Sequence, residues 1–106
     1  MYHVYARGDR RQDIVRDDAD LRLLLSVAED VVARFGWYCH AYRLMPNHHH
    51  FLFETPAPDL SQGMQRLDGT YAQLFNRRHG LDGHLFQGRF GARFIESNLH
   101  LIELSR

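Results

Sequence analysis

Met45-Pro46-Asn47-His48-His49-His50-Phe51-Leu52-Phe53-Glu54 is the stretch from which the rest of the chain can be read. Pro46 and Asn47 are turn formers, and the seven residues after them predict a strand, His48 to Glu54. Trp37 to Leu44, rich in aromatics, reads as the preceding strand, so the two form a hairpin. Before it, Asp17 looks like an N-cap with Asp20 at the third helical position, where a carboxylate favours the exposed amides. Leu21, Leu24, Leu25, Ala28, Val31, Val32 and Phe35 then recur at steps of three and four, and Gly36 stops the helix. After the hairpin, Asp59 with Gln62 opens a second helix whose stripe is Leu60, Met64, Leu67, Tyr71, Leu74 and Phe75, closed by Gly80. Tyr2 to Ala6 predicts a first strand and Arg89 to Ile95 a fourth, while Ser97 caps a last amphipathic segment with Leu99, Ile102 and Leu104. Strand, helix, strand, strand, helix, strand, helix is the split βαβ order. The fold expected is α+β: a ferredoxin-like two-layer sandwich, its four-stranded antiparallel sheet carrying helices on one face, plus an extra C-terminal helix.

With 106 residues, 44% of them hydrophobic and 25% charged, the chain has the size of one domain, residues 1–106. Its apolar runs fall far short of the roughly 20 residues that a bilayer span needs, and no basic-then-apolar signal pattern opens it. A membrane role is therefore not expected. Cys39 is the only cysteine, which excludes an internal disulfide and a multi-cysteine zinc site and fits a reducing cytoplasm. All thirteen basic residues are Arg, balanced by thirteen acidic ones. Asp17, Asp18, Asp20, Glu29 and Asp30 crowd one segment, whereas Arg66, Arg77, Arg78, Arg89 and Arg93 crowd another. Arg grips phosphate with a planar fork, so that second segment is a candidate contact for a nucleic-acid backbone.

Within the predicted third strand, alternation puts His48 and His50 on one face and His49, with Phe51 and Phe53, on the other, toward the helices. Two imidazoles roughly 6.5 to 7 Å apart at their backbones can converge on one divalent ion. The expected site is weak, because two ligands fill only part of a coordination sphere, and binding should fall as imidazole protonates below pH ~6.5. Gly63 and Gly69 interrupt the second helix at about 1 kcal/mol each, which points to close approach by a neighbouring backbone or a ligand, with tight helix packing as the plainer alternative.

These pieces together resemble the REP-associated tyrosine transposases, a family of single-tyrosine HUH transposases. Met45-Pro46-Asn47-His48-His49-His50, Tyr71-Ala72-Gln73-Leu74-Phe75-Asn76-Arg77-Arg78-His79-Gly80 and Leu85-Phe86-Gln87-Gly88-Arg89-Phe90 carry the resemblance. It extends collinearly from His3, Arg7 and Gly8, through Gly36 to Asn47, to Leu104-Ser105-Arg106. It implies metal-assisted nicking and strand transfer of single-stranded DNA at stem-loop ends. His48 and His50 would hold Mg²⁺ or Mn²⁺, and Arg66, Arg77, Arg78, Arg89 and Arg93 would hold DNA. A tyrosine would attack phosphorus, leaving a 5′-phosphotyrosine and a free 3′-hydroxyl.

By the same resemblance that tyrosine follows Arg106 directly, and a polar metal ligand follows four positions later on the same helix. The chain is therefore expected to be a C-terminally truncated copy that supplies no catalytic residue of its own. A basic residue is usual in the family where Gly91 stands. Tyr71 falls on a buried stripe, and Tyr2, Tyr5, Tyr38 and Tyr42 are sheet-face aromatics or base-stacking platforms. His40, His79, His84 and His100 read as surface or satisfied polar residues. Two other functions are kept open: a non-catalytic nucleic-acid-binding remnant and a plain oligomeric domain. Monomer and homodimer stand equally open.

Overall fold

The computed structural model describes residues 1–96; the expected C-terminal helix, with Ser97, His100 and the segment up to Arg106, lies outside the described residues. Strand β1 (Tyr2–Arg7) leads through a 3-10 turn (Asp9–Arg11) into helix α1 (Asp18–Phe35). The hairpin β2 (Tyr38–Met45) and β3 (His48–Glu54), helix α2 (Leu60–His79) and strand β4 (Gly91–Phe94) follow. The sheet runs β2-β3-β1-β4, every pairing antiparallel, which is the ferredoxin-like order.

Local chemistry sets most of the boundaries. Asp17 caps α1 by accepting the Asp20 N–H at 2.9 Å, and Gly36 ends that helix at φ 69°. Trp37, expected to open β2, lies in the core instead, and its indole N–H donates to Asp59 Oδ1 at 2.8 Å. Asp59 is accordingly at the N-cap position of α2 without a side-chain capping bond. A methyl added to Gly63 would lie 2.1 Å from the Trp37 ring, so the helix has glycine there because the indole needs the space. At Gly69 an added methyl would meet no atom within 4 Å among the described residues outside its own stretch of helix, so close packing among those residues does not explain it. Strand β4 is shorter than expected and leaves Arg89 in the loop before it.

Residues opposed across a sheet share a face, so the register sorts the strands into a helix side and an open side. Val4, Phe51 and Phe53 pack with Leu24, Val31, Leu67 and Phe75 in one apolar core. Each fully buried side chain of this size contributes about 1.5–3 kcal/mol. The acidic and basic segments separated in sequence meet in space. Arg78 pairs with Asp17 at 2.9 Å and Asp20 at 2.7 Å, and Arg66 Nε lies 3.8 Å from Asp30. The isolated basic region expected from the sequence is thus partly neutralised by α1.

Candidate functional site

Three separate motifs converge at one end of the sheet through backbone bonds. The Gly8 N–H donates to Asn47 O at 2.8 Å, those of Ile14 and Val15 to Pro46 O at 2.7 and 3.1 Å, and that of Gln87 to Arg7 O at 2.8 Å. An added methyl on Gly8 would sit 2.0 Å from Gln12 O, so only glycine allows this clasp. The hairpin turn, and with it the start of β3, is therefore fixed by Gly8 just after β1 and by Ile14 and Val15 ahead of α1, while the loop ahead of β4 is tied to the end of β1.

On the open face His48 and His50 stand two residues apart on β3, as the alternation requires, with ring centres 4.9 Å apart. His49 points the other way and is fully buried, as expected. In the register Tyr5 lies beside His50, Arg7 beside His48, and Arg43 on the far side of His50. His3 reaches across from β1 and shares a 2.9 Å hydrogen bond between its Nε2 and His50 Nδ1. His48 Nδ1 lies 2.7 Å from Asn47 Oδ1. An amide oxygen can only accept, so Nδ1 of His48 carries the proton and its Nε2 keeps a lone pair. With Nδ1 of His50 likewise occupied by His3, both imidazoles have Nε2 as the nitrogen left for a ligand among the described residues. Holding one ring nitrogen while exposing the other is the arrangement of metal-binding histidines, and the donor set fits a divalent ion.

The electrostatics favour neutral rings. Burial, reinforced by His3, His48, His49 and Arg43, holds His50 down to about 4. Burial and then Arg7 and Arg43 lower His48, and burial and then Arg93 lower His3. The expected loss of ligand capacity below pH ~6.5 is thereby moved to lower pH for His50. Among the described residues no group of three or more His, Cys, Asp or Glu side chains is gathered to hold a metal alone.

Of the five arginines singled out in the sequence, only Arg93 shares the face of these histidines, paired with His3 across β1 and β4. Arg66 and Arg77 are exposed on α2, Arg78 is forked onto Asp17, and Arg89 is exposed in the loop. Arg7 and Arg43 flank the imidazoles and were not among the candidates. The signal for them was alternation, since His3, Tyr5 and Arg7 lie at steps of two on β1. Gly91, where a basic residue is usual, lies under Tyr5: an added methyl would be 2.2 Å from Tyr5 Cζ.

Tyr71 is fully buried and donates to Ile14 O; burial and Asp20 raise its pKa above the usual phenol value, so it is a packed residue, as its stripe predicted. His79 is a satisfied histidine, bonded to both oxygens of buried Asp20 at 3.0 and 2.9 Å. His49 is only half satisfied. Its Nε2 bonds Asp68 Oδ1 at 2.8 Å, while Nδ1 is buried with no partner, a cost of about 1–3 kcal/mol.

No curated protein matches this chain. Among solved structures, a candidate transposase from Deinococcus radiodurans R1 superposes with a TM-score of 0.73 at 17% identity, covering 96% of this chain and 83% of that one. A REP-associated tyrosine transposase bound to a REP hairpin gives 0.73 at 16% identity, over 97% of this chain. This chain spans 61% of the length of that second protein. At such identities these likenesses establish the fold. The family model described as transposase, IS200-like, matches residues 1–106, and the chain belongs to that family.

Proposed function

We propose that this domain binds single-stranded DNA at a stem-loop end and holds it, with Mg²⁺ or Mn²⁺ on His48 and His50, for nicking and strand transfer by a tyrosine. The observation that carries this reading is the pair of neutral imidazoles with Nδ1 occupied and Nε2 left over, ringed by Arg7, Arg43 and Arg93. A bound divalent cation would polarise the scissile phosphate and stabilise charge on the oxygens around phosphorus. The protein's own share is positional. His3 and Asn47 fix the two rings, and the arginines attract the phosphate backbone and hold it in register. Arg66, Arg77, Arg78 and Arg89 extend that contact away from the sheet. The REP-associated relative's hairpin supports a DNA partner of the same kind for this chain.

The tyrosine itself we place after Arg106, following the family pattern. In the reaction its oxygen bonds to phosphorus, the bond to the 3′ oxygen breaks, and the departing 3′-hydroxyl takes a proton. None of the tyrosines on the described strands or on α2 is assigned that role. The absence of a three-residue ligand group among the described residues favours a second reading, a DNA-binding module that works without metal.

The test is a labelled stem-loop with single-stranded flanks, titrated with protein in the presence and absence of Mn²⁺, beside NMR of the histidine side chains. The expected result is tighter binding to the stem-loop than to duplex, weakening steeply with salt, with Mn²⁺ broadening His48 and His50. Equal affinity for duplex, or broadening confined to His79 and His84, overturns the proposal. Stem-loop binding with no Mn²⁺ response at His48 or His50 selects the second reading.

A further inference from the structure

On the helix side of the sheet, α2 and the loop 81–90 line a half-open cavity of about 490 Å³, away from the histidine face. Four observations meet in it. Asp68 lines it, and one of its carboxylate oxygens is held at 2.8 Å by the Nε2–H of fully buried His49. That histidine stays in place although its other nitrogen is buried without a partner. Gly69 lines the cavity as well, the helix glycine whose added methyl would meet nothing within 4 Å among the described residues outside its own stretch of helix. Phe86 and Phe90 supply aromatic surface, and Arg89, beside them on the loop, supplies a cation.

We infer that this cavity is a binding pocket for one unpaired guanine base of the DNA strand, an inference that rests on the proposed DNA-binding function. A carboxylate accepts hydrogen bonds, so its ligand must present N–H or O–H donors, and on a nucleobase these are N–H. Guanine alone among the four bases offers two adjacent ones, N1–H and the 2-amino group, which suit a carboxylate already oriented by His49. Phe86 and Phe90 stack on a π-face of any base, and Arg89 at the rim takes the attached phosphate. The volume lies within the range of small-ligand pockets. Gly69 then has a reason to interrupt α2: a side chain there would occupy the ligand's space.

Deoxyguanosine 5′-monophosphate, with deoxythymidine 5′-monophosphate as control, tests the pocket by NMR titration without any need for stem-loop binding. The expected result is saturable shifts at Asp68, Gly69 and Phe86 with the guanine nucleotide and at least tenfold weaker binding of the thymine one. Asp68→Asn should lose that preference. Gly69→Leu should lose binding altogether while its melting temperature stays equal or rises by ~4 °C, since leucine is the better helix former. No shifts at millimolar nucleotide, equal response to both nucleotides, or undiminished binding by Gly69→Leu overturns the inference. A parallel titration with the stem-loop separates the two claims. Nucleotide binding without stem-loop binding leaves the pocket and removes the DNA-processing function; stem-loop binding without a guanine preference does the reverse.

Discussion

At the end of α2, His79 contacts both oxygens of a fully buried aspartate, with Arg78 bonding the same carboxylate. On the open face of the sheet His50 meets two other imidazoles and Arg43, and burial holds it down to about 4. One cluster is closed: Asp20 takes the Arg16 N–H at 2.9 Å, Arg78 at 2.7 Å and His79, and the helix ends are stapled together. The other is open: among the described residues no carboxylate contacts His48 or His50, and Nε2 of each ring is left over. Histidine count alone therefore says little about a site. What decides is whether the surrounding charges are already paired within the protein or wait for an anion or cation from outside.

The largest effect should come from breaking the closed cluster. Asp20→Ala removes a buried carboxylate that serves three donors and should destabilise the fold by about 3 kcal/mol in urea unfolding, with Mn²⁺ broadening at His48 and His50 unchanged. Loss of the Mn²⁺ response with Asp20 would show that the two clusters are coupled. A smaller loss of stability is expected for Arg78→Ala, whose fork on Asp17 is at the surface.

The pH dependence has the same sign in both clusters and separates them by its window. His50 has a folded pKa below its unfolded value, so the unfolded chain takes up the proton first, and stability falls as pH drops from about 6.5 to about 4. In His50→Gln that part of the slope should flatten, as measured by urea midpoints across the window. Asp17 is a depressed carboxylate, chiefly through its bond from Arg78, so its contribution is present above its ordinary value near 3.8 and is lost only as pH falls through the lower folded one. A slope in His50→Gln identical to that of the parent would contradict the assignment.

How far the sequence carried these results depends on the range of the signal. The hairpin, both helices and the inward turn of His49 follow from periodicity and turn residues, which are local. Asp20 was legible as a helix-start carboxylate, yet its burial depends on Arg78 and His79, 58 and 59 residues away, which no window along the chain can see. The same holds for His3, whose bond to His50 spans 47 positions. Gly63 was flagged by its cost in a helix, but Trp37 as the cause required the fold. The likeness to the transposases rested on motifs that the backbone bonds around Gly8 bring together.

The smallest effect expected is at the rim of the open face. Arg93→Ala should leave stability within about 0.5 kcal/mol and lower the slope of log affinity against log salt for a stem-loop by about 1. Arg78→Ala should change that slope less, because its guanidinium is already engaged by Asp17 and Asp20. If the two slopes change equally, the closed cluster opens for DNA and its charges are not held within the protein.

The strand order β2-β3-β1-β4 has a consequence for synthesis. β1 is made before both of its partners, β3 and β4, so it leaves the ribosome with both edges unpaired. At about 5–20 residues per second, the 47 positions that separate His3 from His50 take about 2–9 s to translate. Through that interval Tyr2 to Arg7 is an apolar and aromatic segment with no place to dock, and its earliest available company is α1. Expression at lower temperature or with a chaperone that shields nascent strands should therefore raise the yield of folded protein more than any change to the surface of the finished domain.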